Sequence, residues 1–446
     1  MPSKKSSHSI YSTEAQLRKH ALAIFRAALA AADPYEATLA QLKPLPKNVR
    51  RLFVVGAGKA AHAMARATEK FYGRTIDAGI IVTKYGHGGP LKRVRCLEAA
   101  HPVPDEAGQQ AAQEIVALCD NASEGDLILC LISGGASALL PCPAAGITLE
   151  EKQHTTQLLL SCGATIQELN CVRKHLSQLK GGQLAHVSYP AKLETLILSD
   201  VIGDPLDVIG SGPTVPDTTT FADAWEILYK HRLTGKIPAS VRDHLEAGVN
   251  LRIPDTPKPG DPIFSIVKNR LVGSNRLSLY AAQTKAKSLG YQPLLLSTML
   301  DGEASEVAKT FAAIAREVRS SGHPFKPPLA LIAGGETTVK LAQPHGLGGR
   351  NQEMALAAAI GIAGLAGTVF LAAGTDGTDG PTDAAGAYAT GSTIARAATI
   401  EFDAHEFLSR NDSYHFFKPL DDLLITGPTG TNVMDLYLML VGGADG

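Results

Sequence analysis

From Thr13 to about Ala32 the apolar residues Leu17, Ala21, Ile24, Phe25 and Leu29 recur at helical spacing, so the chain is expected to open on an amphipathic helix that stops at Asp33-Pro34. The pattern then changes. Arg51-Leu-Phe-Val-Val55 is a short unbroken apolar run that ends in Gly56 and leads into an alanine-rich helical stretch over residues 60–71. That strand–loop–helix pattern repeats, with further strands expected at 78–82, 126–132 and 195–198 and helical stretches between them. Strands that read as continuous apolar runs are buried on both faces, which means a parallel sheet covered by helices.

After Thr214 the pattern shifts again. Residues 218–249 read as helical, and residues 252–262 form a proline-dense connection. A domain boundary is expected there, giving an N-terminal domain over 1–250 and a C-terminal one over 251–446, the last segment being free to pack back on the first domain. Beyond the connection, strands are expected at 263–272, 292–297, 330–333, 338–341 and 369–373, some of them antiparallel. Helices are expected at 277–289, at 303–320 and after Gln352. The most apolar stretch, 356–373, is interrupted by Gly361, Gly364, Gly367 and Thr368, so it reads as helix, turn and buried strand and not as a membrane span.

Composition narrows the class. A chain of 446 residues is too long for one ordinary core, and 45% hydrophobic with 19% charged residues is a globular enzyme composition. The net charge of −1 gives no field to attract nucleic acid or an anionic membrane. The leading MPSKKSSHSIYS is polar and lacks the apolar stretch of a secretory signal. Six cysteines are scattered without a C-x-x-C pair, and Cys119, Cys130 and Cys162 stand in apolar surroundings, as buried free thiols do. A cytoplasmic protein, monomeric or homodimeric, is expected.

The candidate chemistry lies in glycine-rich loops at strand ends. Gly56-Ala-Gly58-Lys59-Ala-Ala61 overlaps a dinucleotide fingerprint but lacks P-loop spacing. Its distinctive residue is Lys59, which suits a phosphoryl or carboxylate group, the plainer reading being a solvated lysine on a tight turn. Ser133-Gly134-Gly135-Ala136-Ser137 repeats the logic with two hydroxyls. Arg173, Lys174, His175 and Lys180 crowd one short span, either as a solvated helix face or as cations for a ligand anion. Asp200 ends a strand where open α/β sheets bind ligands, so it could hold Mg²⁺ or take a proton from a hydroxyl. Asp204, before Pro205, reads first as a turn residue.

In the second half, Gly334-Gly335-Glu336 is followed by Gly346, Gly348 and Gly349 around Arg350 and Asn351, a density that calls for close backbone approach to a ligand. Arg350 could clamp phosphate or carboxylate. Asp376, Asp379 and Asp383 share one loop and need a cation or basic partner to offset them, unless they form an exposed acidic turn.

The set GAGKAA, SGGASALL, VRKHLS…KGG, LSDVIGD…GSGPT, AGGETTV, GLGGRNQE and GTDGTDGPTDAAGA resembles the glycerate 2-kinase family, whose C-terminal region is called MOFRL and some of whose members carry the older label hydroxypyruvate reductase. The resemblance runs from about residue 15 to Asn432. It implies a larger α/β/α Rossmann-like domain with a parallel sheet, a smaller α/β domain with a mixed sheet, and an active site in the cleft between them. It also implies transfer of the γ-phosphoryl of ATP to the 2-hydroxyl of D-glycerate with Mg²⁺. Lys59, Asp200 and Arg350 fall on the family's functional positions, and Asn432 and Asp435 fit its pattern. Gly56, Gly58, Ser133, Gly134, Gly135, Ser137, Arg173, Lys180, Asp204, Gly334, Gly335, Glu336, Asn351, Asp376 and Asn432 are expected to bind substrate or nucleotide, and Asp200 and Asp376 to meet the metal. The alternative is an NAD(P)H-dependent hydroxypyruvate reductase. Against it, Val82-Thr83-Lys84 stands where a ribose-binding carboxylate is needed, and Asp77 precedes that strand.

Overall fold

The computed structural model describes residues 13–443, so the reading of the leading dodecapeptide concerns residues outside it. The chain divides into two compact units, one formed by Pro34–Val272 and the other by the leading helix together with the chain from Gly273 onward.

The first unit is built on strands β1 (Leu52–Ala57), β2 (Ile76–Lys84), β3 (Arg95–Ala99), β4 (Leu127–Ile132), β5 (Lys192–Leu198) and β6 (Val267–Gly273). They lie in the order β3-β2-β1-β4-β5-β6, and the four neighbour pairs from β3 to β5 are all parallel. All six residues of β1 and of β4 are buried, as their unbroken apolar runs require. Ala111, Ala112 and Ile115 of the helix Glu106–Asp120 pack on Val55, Ile128 and Cys130. β3 escaped the sequence pattern because Arg-Cys-Leu-Glu-Ala is half-exposed and mixed in polarity, as an edge strand is.

The second unit carries β7 (Gln292–Leu300), β8 (Leu329–Gly335), β9 (Thr368–Gly374), β10 (Gly386–Thr390), β11 (Leu423–Leu424) and β12 (Asp435–Val441), in the order β11-β10-β9-β12-β8-β7. β7 and β8 are parallel and the other neighbours antiparallel, so this sheet is mixed. Its strands alternate between two cores. Leu331, Phe370, Tyr437 and Met439 join the helices Ala304–Ser321 and Arg350–Gly361, whereas Ile332, Leu371, Leu436 and Leu438 face the opposite core.

Several expectations are corrected. The boundary at 250 moves to about 272, because the stretch expected as a strand at 263–272 begins with a short 3₁₀ turn, Pro262–Ile266, and then adds β6 to the first sheet. The leading helix, Glu14–Ala31, belongs to the second unit, where Leu17, Ala21, Ile24, Phe25 and Ala28 pack on Leu279, Ala282 and Ala286. The closing strand, β12, sits between β8 and β9 inside the sheet of the second unit. At a smaller scale, the expected strand 338–341 is only an isolated bridge from Thr338 to Glu303. Cys162 is exposed at the end of the helix Leu149–Ser161, not buried, whereas burial pushes the Cys119 thiol up to about 12. Among the described residues no helix is long and apolar enough to cross a membrane.

Candidate active site

Strand order reverses between β1 and β4, and in an open parallel sheet the crevice beyond that reversal is where ligands bind. Two of the glycine loops meet there. The Lys59 N–H donates to the Gly134 carbonyl at 2.9 Å, the Ala60 N–H to Ser133 Oγ at 3.0 Å, and the Ser133 N–H to the Ala57 carbonyl at 3.0 Å. Gly58 has φ of +135°, and a Cβ on it would lie 2.1 Å from Ser133 Oγ. Gly56 lies inside β1, where a Cβ would meet the Leu131 carbonyl at 2.2 Å. These positions, expected to face a ligand, are thus occupied in locking one loop against the other. Lys59 stands in the turn that this lock creates.

Asp200 follows β5. A Cβ on Gly134 would fall 2.0 Å from its Oδ2, so the carboxylate rests directly on the Gly134 backbone. On Gly135, a Cβ would lie 3.0 Å from the His101 ring and 3.5 Å from Lys59 Cγ. Lys59, Asp200 and His101 therefore gather about two adjacent glycines. Sequence reasoning passed over His101 because a lone histidine after an unrecognised edge strand carries no signal. Burial, and then the Lys59 and Lys84 charges, lower its pKa and favour the neutral imidazole.

The cation run is not a solvated face. Within the helix Ile166–His175 and the turn after it, Lys174 is buried against Asp217 at 3.3 Å, and His175 Nε2 meets Asp255 at 3.0 Å. Lys180 Nζ donates to the Ser137 carbonyl at 2.8 Å, and Ser137 Oγ sits 2.9 Å from Ser211 Oγ. Gly135, Ser137, Arg173 and Lys180 line one cavity of about 630 Å³. Asp204 has φ of +57°, a strained turn position for a residue with a side chain, and its buried Oδ1 has no hydrogen-bond partner.

In the second unit Arg350 begins its helix and is already engaged. Its Nε and Nη2 donate to the buried Asp435 carboxylate at 2.6 and 3.1 Å, and Nη1 donates to Glu336 at 2.7 Å. Asn351 donates to Asp435 at 3.1 Å and to Asp379 at 3.2 Å. Asp379 accepts the Asn351 and Gln352 backbone N–H groups at 3.0 and 2.8 Å, so it caps the helix; burial pushes its pKa up to about 6.

The glycines here have internal reasons. Gly334 and Gly335 lie in β8, not in a loop offering N–H groups; a Cβ on them would strike Asn275 Oδ1 at 2.2 Å and the Leu300 carbonyl at 2.0 Å. Gly346, Gly348 and Gly349 approach Asp412, Ser413 and Asp379. Asp376 Oδ1 accepts the Thr378 N–H at 3.1 Å and borders Gly374, as Asp435 does. Asn432 Oδ1 accepts the Met434 N–H at 3.0 Å. Lys59, Asp200 and the Ser133–Ser137 loop are brought together in one unit, and Arg350, Glu336, Asn351 and Asp435 in the other.

Comparison with known proteins matches two families. Residues 20–246 match the domain of unknown function DUF4147, and residues 329–435 match the MOFRL family. A curated D-glycerate 2-kinase of Thermotoga maritima is 43% identical over 95% of this chain and 98% of its own. A glycerate 2-kinase of Pyrococcus horikoshii is 41% identical, over 95% and 97%. The solved Thermotoga maritima glycerate kinase superposes with a TM-score of 0.89 at 43% identity, covering 96% of this chain and 100% of that one.

Proposed function

The chain belongs to the glycerate 2-kinase family, and from that premise we propose that it transfers the γ-phosphoryl group of ATP to the 2-hydroxyl of D-glycerate. The observation that carries the reading is that Asp200 lies against Gly134 and Lys59 against Gly135 at the switch point, a carboxylate and a cation on adjacent glycines where a phosphorylated ligand is expected.

In this reading Asp200 orients the 2-hydroxyl and accepts its proton as the oxygen attacks phosphorus. Lys59 offsets the charge on the transferring group, and neutral His101 offers a polar ring beside it without adding to the field. Within its own unit, Arg350 is a further cation for a ligand anion. Its Asp435 partner is buried and Glu336 is half-exposed, so a ligand anion competes with the Glu336 arm and leaves the Asp435 clamp in place.

The residues fit a magnesium ion carried in on the nucleotide. Among the described residues no three potential ligands cluster, while Asp200 and the unpartnered Asp204 oxygen share one turn and Asp376 lies beside Asp435 at a strand end. Bound Mg²⁺ supplies neutralisation of phosphate charge. A nicotinamide reductase is disfavoured: Asp77 accepts the Leu52 N–H at 2.8 Å at the start of β2, the end opposite the switch point.

Incubation with ATP, Mg²⁺ and D-glycerate, followed by product identification by NMR, should give ADP and 2-phosphoglycerate. A 3-phosphate product, or NADH oxidation with hydroxypyruvate in place of ADP formation, would overturn the proposal.

A further inference from the structure

We propose that Lys152, Arg173 and Lys180 form the site for the polyphosphate chain of the nucleotide, in the cavity that opens beside Gly135. The identity of the anion rests on the kinase reading; the existence of an anion site rests on the cavity itself.

Lys152 comes from the helix Leu149–Ser161, Arg173 from the helix Ile166–His175, and Lys180 from the turn after it; all three line the same cavity of about 630 Å³. Lys152 is 7% exposed, and its Nζ has no hydrogen-bond partner. Lys180 is 3% exposed, and its Nζ donates to a single neutral carbonyl, that of Ser137. Lys152 and Arg173 bring like charge to bear on Lys180. Burial and these like charges push the Lys180 pKa well down, and burial above all lowers that of Lys152 to about 7.

The contrast with Lys174 is informative. It is buried to the same degree and adjoins Arg173 in sequence, yet it pairs with Asp217 at 3.3 Å and with Asp207 at 3.6 Å. Among the described residues, carboxylates pair with that cation and no ion pair reaches the three at the cavity. Buried cations left without counter-charges are costly unless a ligand completes them. A monocarboxylate such as glycerate would balance one of the three, whereas a triphosphate would balance all of them. The geometry also places the reacting end. Gly135 lines the cavity and lies against Lys59 Cγ, so a chain held by Lys152, Arg173 and Lys180 can direct its terminal phosphoryl toward Lys59 and Asp200.

The test uses the full chain, with inorganic tripolyphosphate as probe in calorimetry and ATP and D-glycerate in steady-state kinetics. Lys152→Met should weaken tripolyphosphate binding by about ten- to a hundredfold and raise KM for ATP by a similar factor, leaving KM for glycerate within about twofold. Arg173→Gln, at a less buried position, should do the same and keeps the proposal testable where Lys152→Met folds poorly. Unchanged tripolyphosphate binding in a folded variant, or a rise confined to KM for glycerate, would overturn the site. Tripolyphosphate binding without any turnover of ATP and glycerate would instead sink the kinase reading and leave the anion site standing.

Discussion

A methyl group on Gly134 would meet an Asp200 oxygen at 2.0 Å, so this glycine tests the carboxylate without touching it. The atom that must yield is the end of a movable side chain, so Gly134→Ala should displace Asp200 and leave the fold in place. We expect kcat to fall on the order of 10²-fold, with the unfolding midpoint moved by only a few degrees, about 2–4 °C. Normal kcat in the folded variant would remove Asp200 from the reaction. Lys59→Ala should cost on the order of 10²–10³ in kcat, and near-normal turnover would sink its role. Both residues were legible in the sequence because a charge at the end of a buried strand has few structural uses. The loop glycines were legible too, but for the wrong reason: Gly58, Gly334 and Gly349 are shaped by Ser133, Asn275 and Asp379, contacts that only the tertiary fold creates. His101 and Lys152 had no local pattern to announce them.

Elements are tied together by buried ionic contacts that spacing does not reveal. The proline-dense connection, expected to be a linker, is anchored by Asp255, which accepts from His175 at 3.0 Å and from Lys258 at 3.0 Å. Burial opposes the charge on His175, but the hydrogen bonds to Asp255 and to Cys171 together outweigh it and raise the pKa from 6.5 to about 9. Against burial, the hydrogen bonds from His175, Lys258 and the Thr256 N–H together hold the Asp255 carboxyl below its usual range. The histidine's contribution is therefore fully present below its unfolded value of 6.5 and is lost as pH rises through about 9. The aspartate's contribution is present above its unfolded value of 3.8 and is lost as pH falls through its depressed folded value. Asp255→Asn should thus destabilise by about 2 kcal/mol between pH 4 and 6.5, and the gap should narrow as pH rises through about 9 in urea melts, the Lys258 contact remaining. A gap independent of pH would mean that the pair holds no charge. Apolar runs told the central strands apart from helices well, whereas β3, β10 and β11 are mixed or short and were missed. β12, by contrast, carries the unbroken apolar run Leu-Tyr-Leu-Met-Leu-Val after Asp435, which the sequence could have shown as a strand.

At the scale of the whole chain, the first helix and the last strand belong to one unit, which encloses the sequence of the other. No local signal carries that information. Leu17, Ala21, Ile24 and Phe25 mark an apolar stripe, but a stripe does not name the surface it covers. In the structure that stripe covers one face of the mixed sheet, with Phe25 fully buried among residues that include Leu279, Leu371 and Leu438. Phe25→Ala should leave a cavity and cost about 3–5 kcal/mol. The loss should be confined to that unit: amide exchange should quicken in the helix Asn275–Ser288 and in β9 and β12, while β1 and β4 keep their protection. Because Lys59, Asp200 and the basic cavity lie in the other unit, tripolyphosphate binding should survive the substitution at temperatures where the mixed sheet has begun to open. Faster exchange in β1 and β4 instead would mean that the leading helix supports the parallel sheet, returning it to the unit where its place in the sequence suggests it belongs.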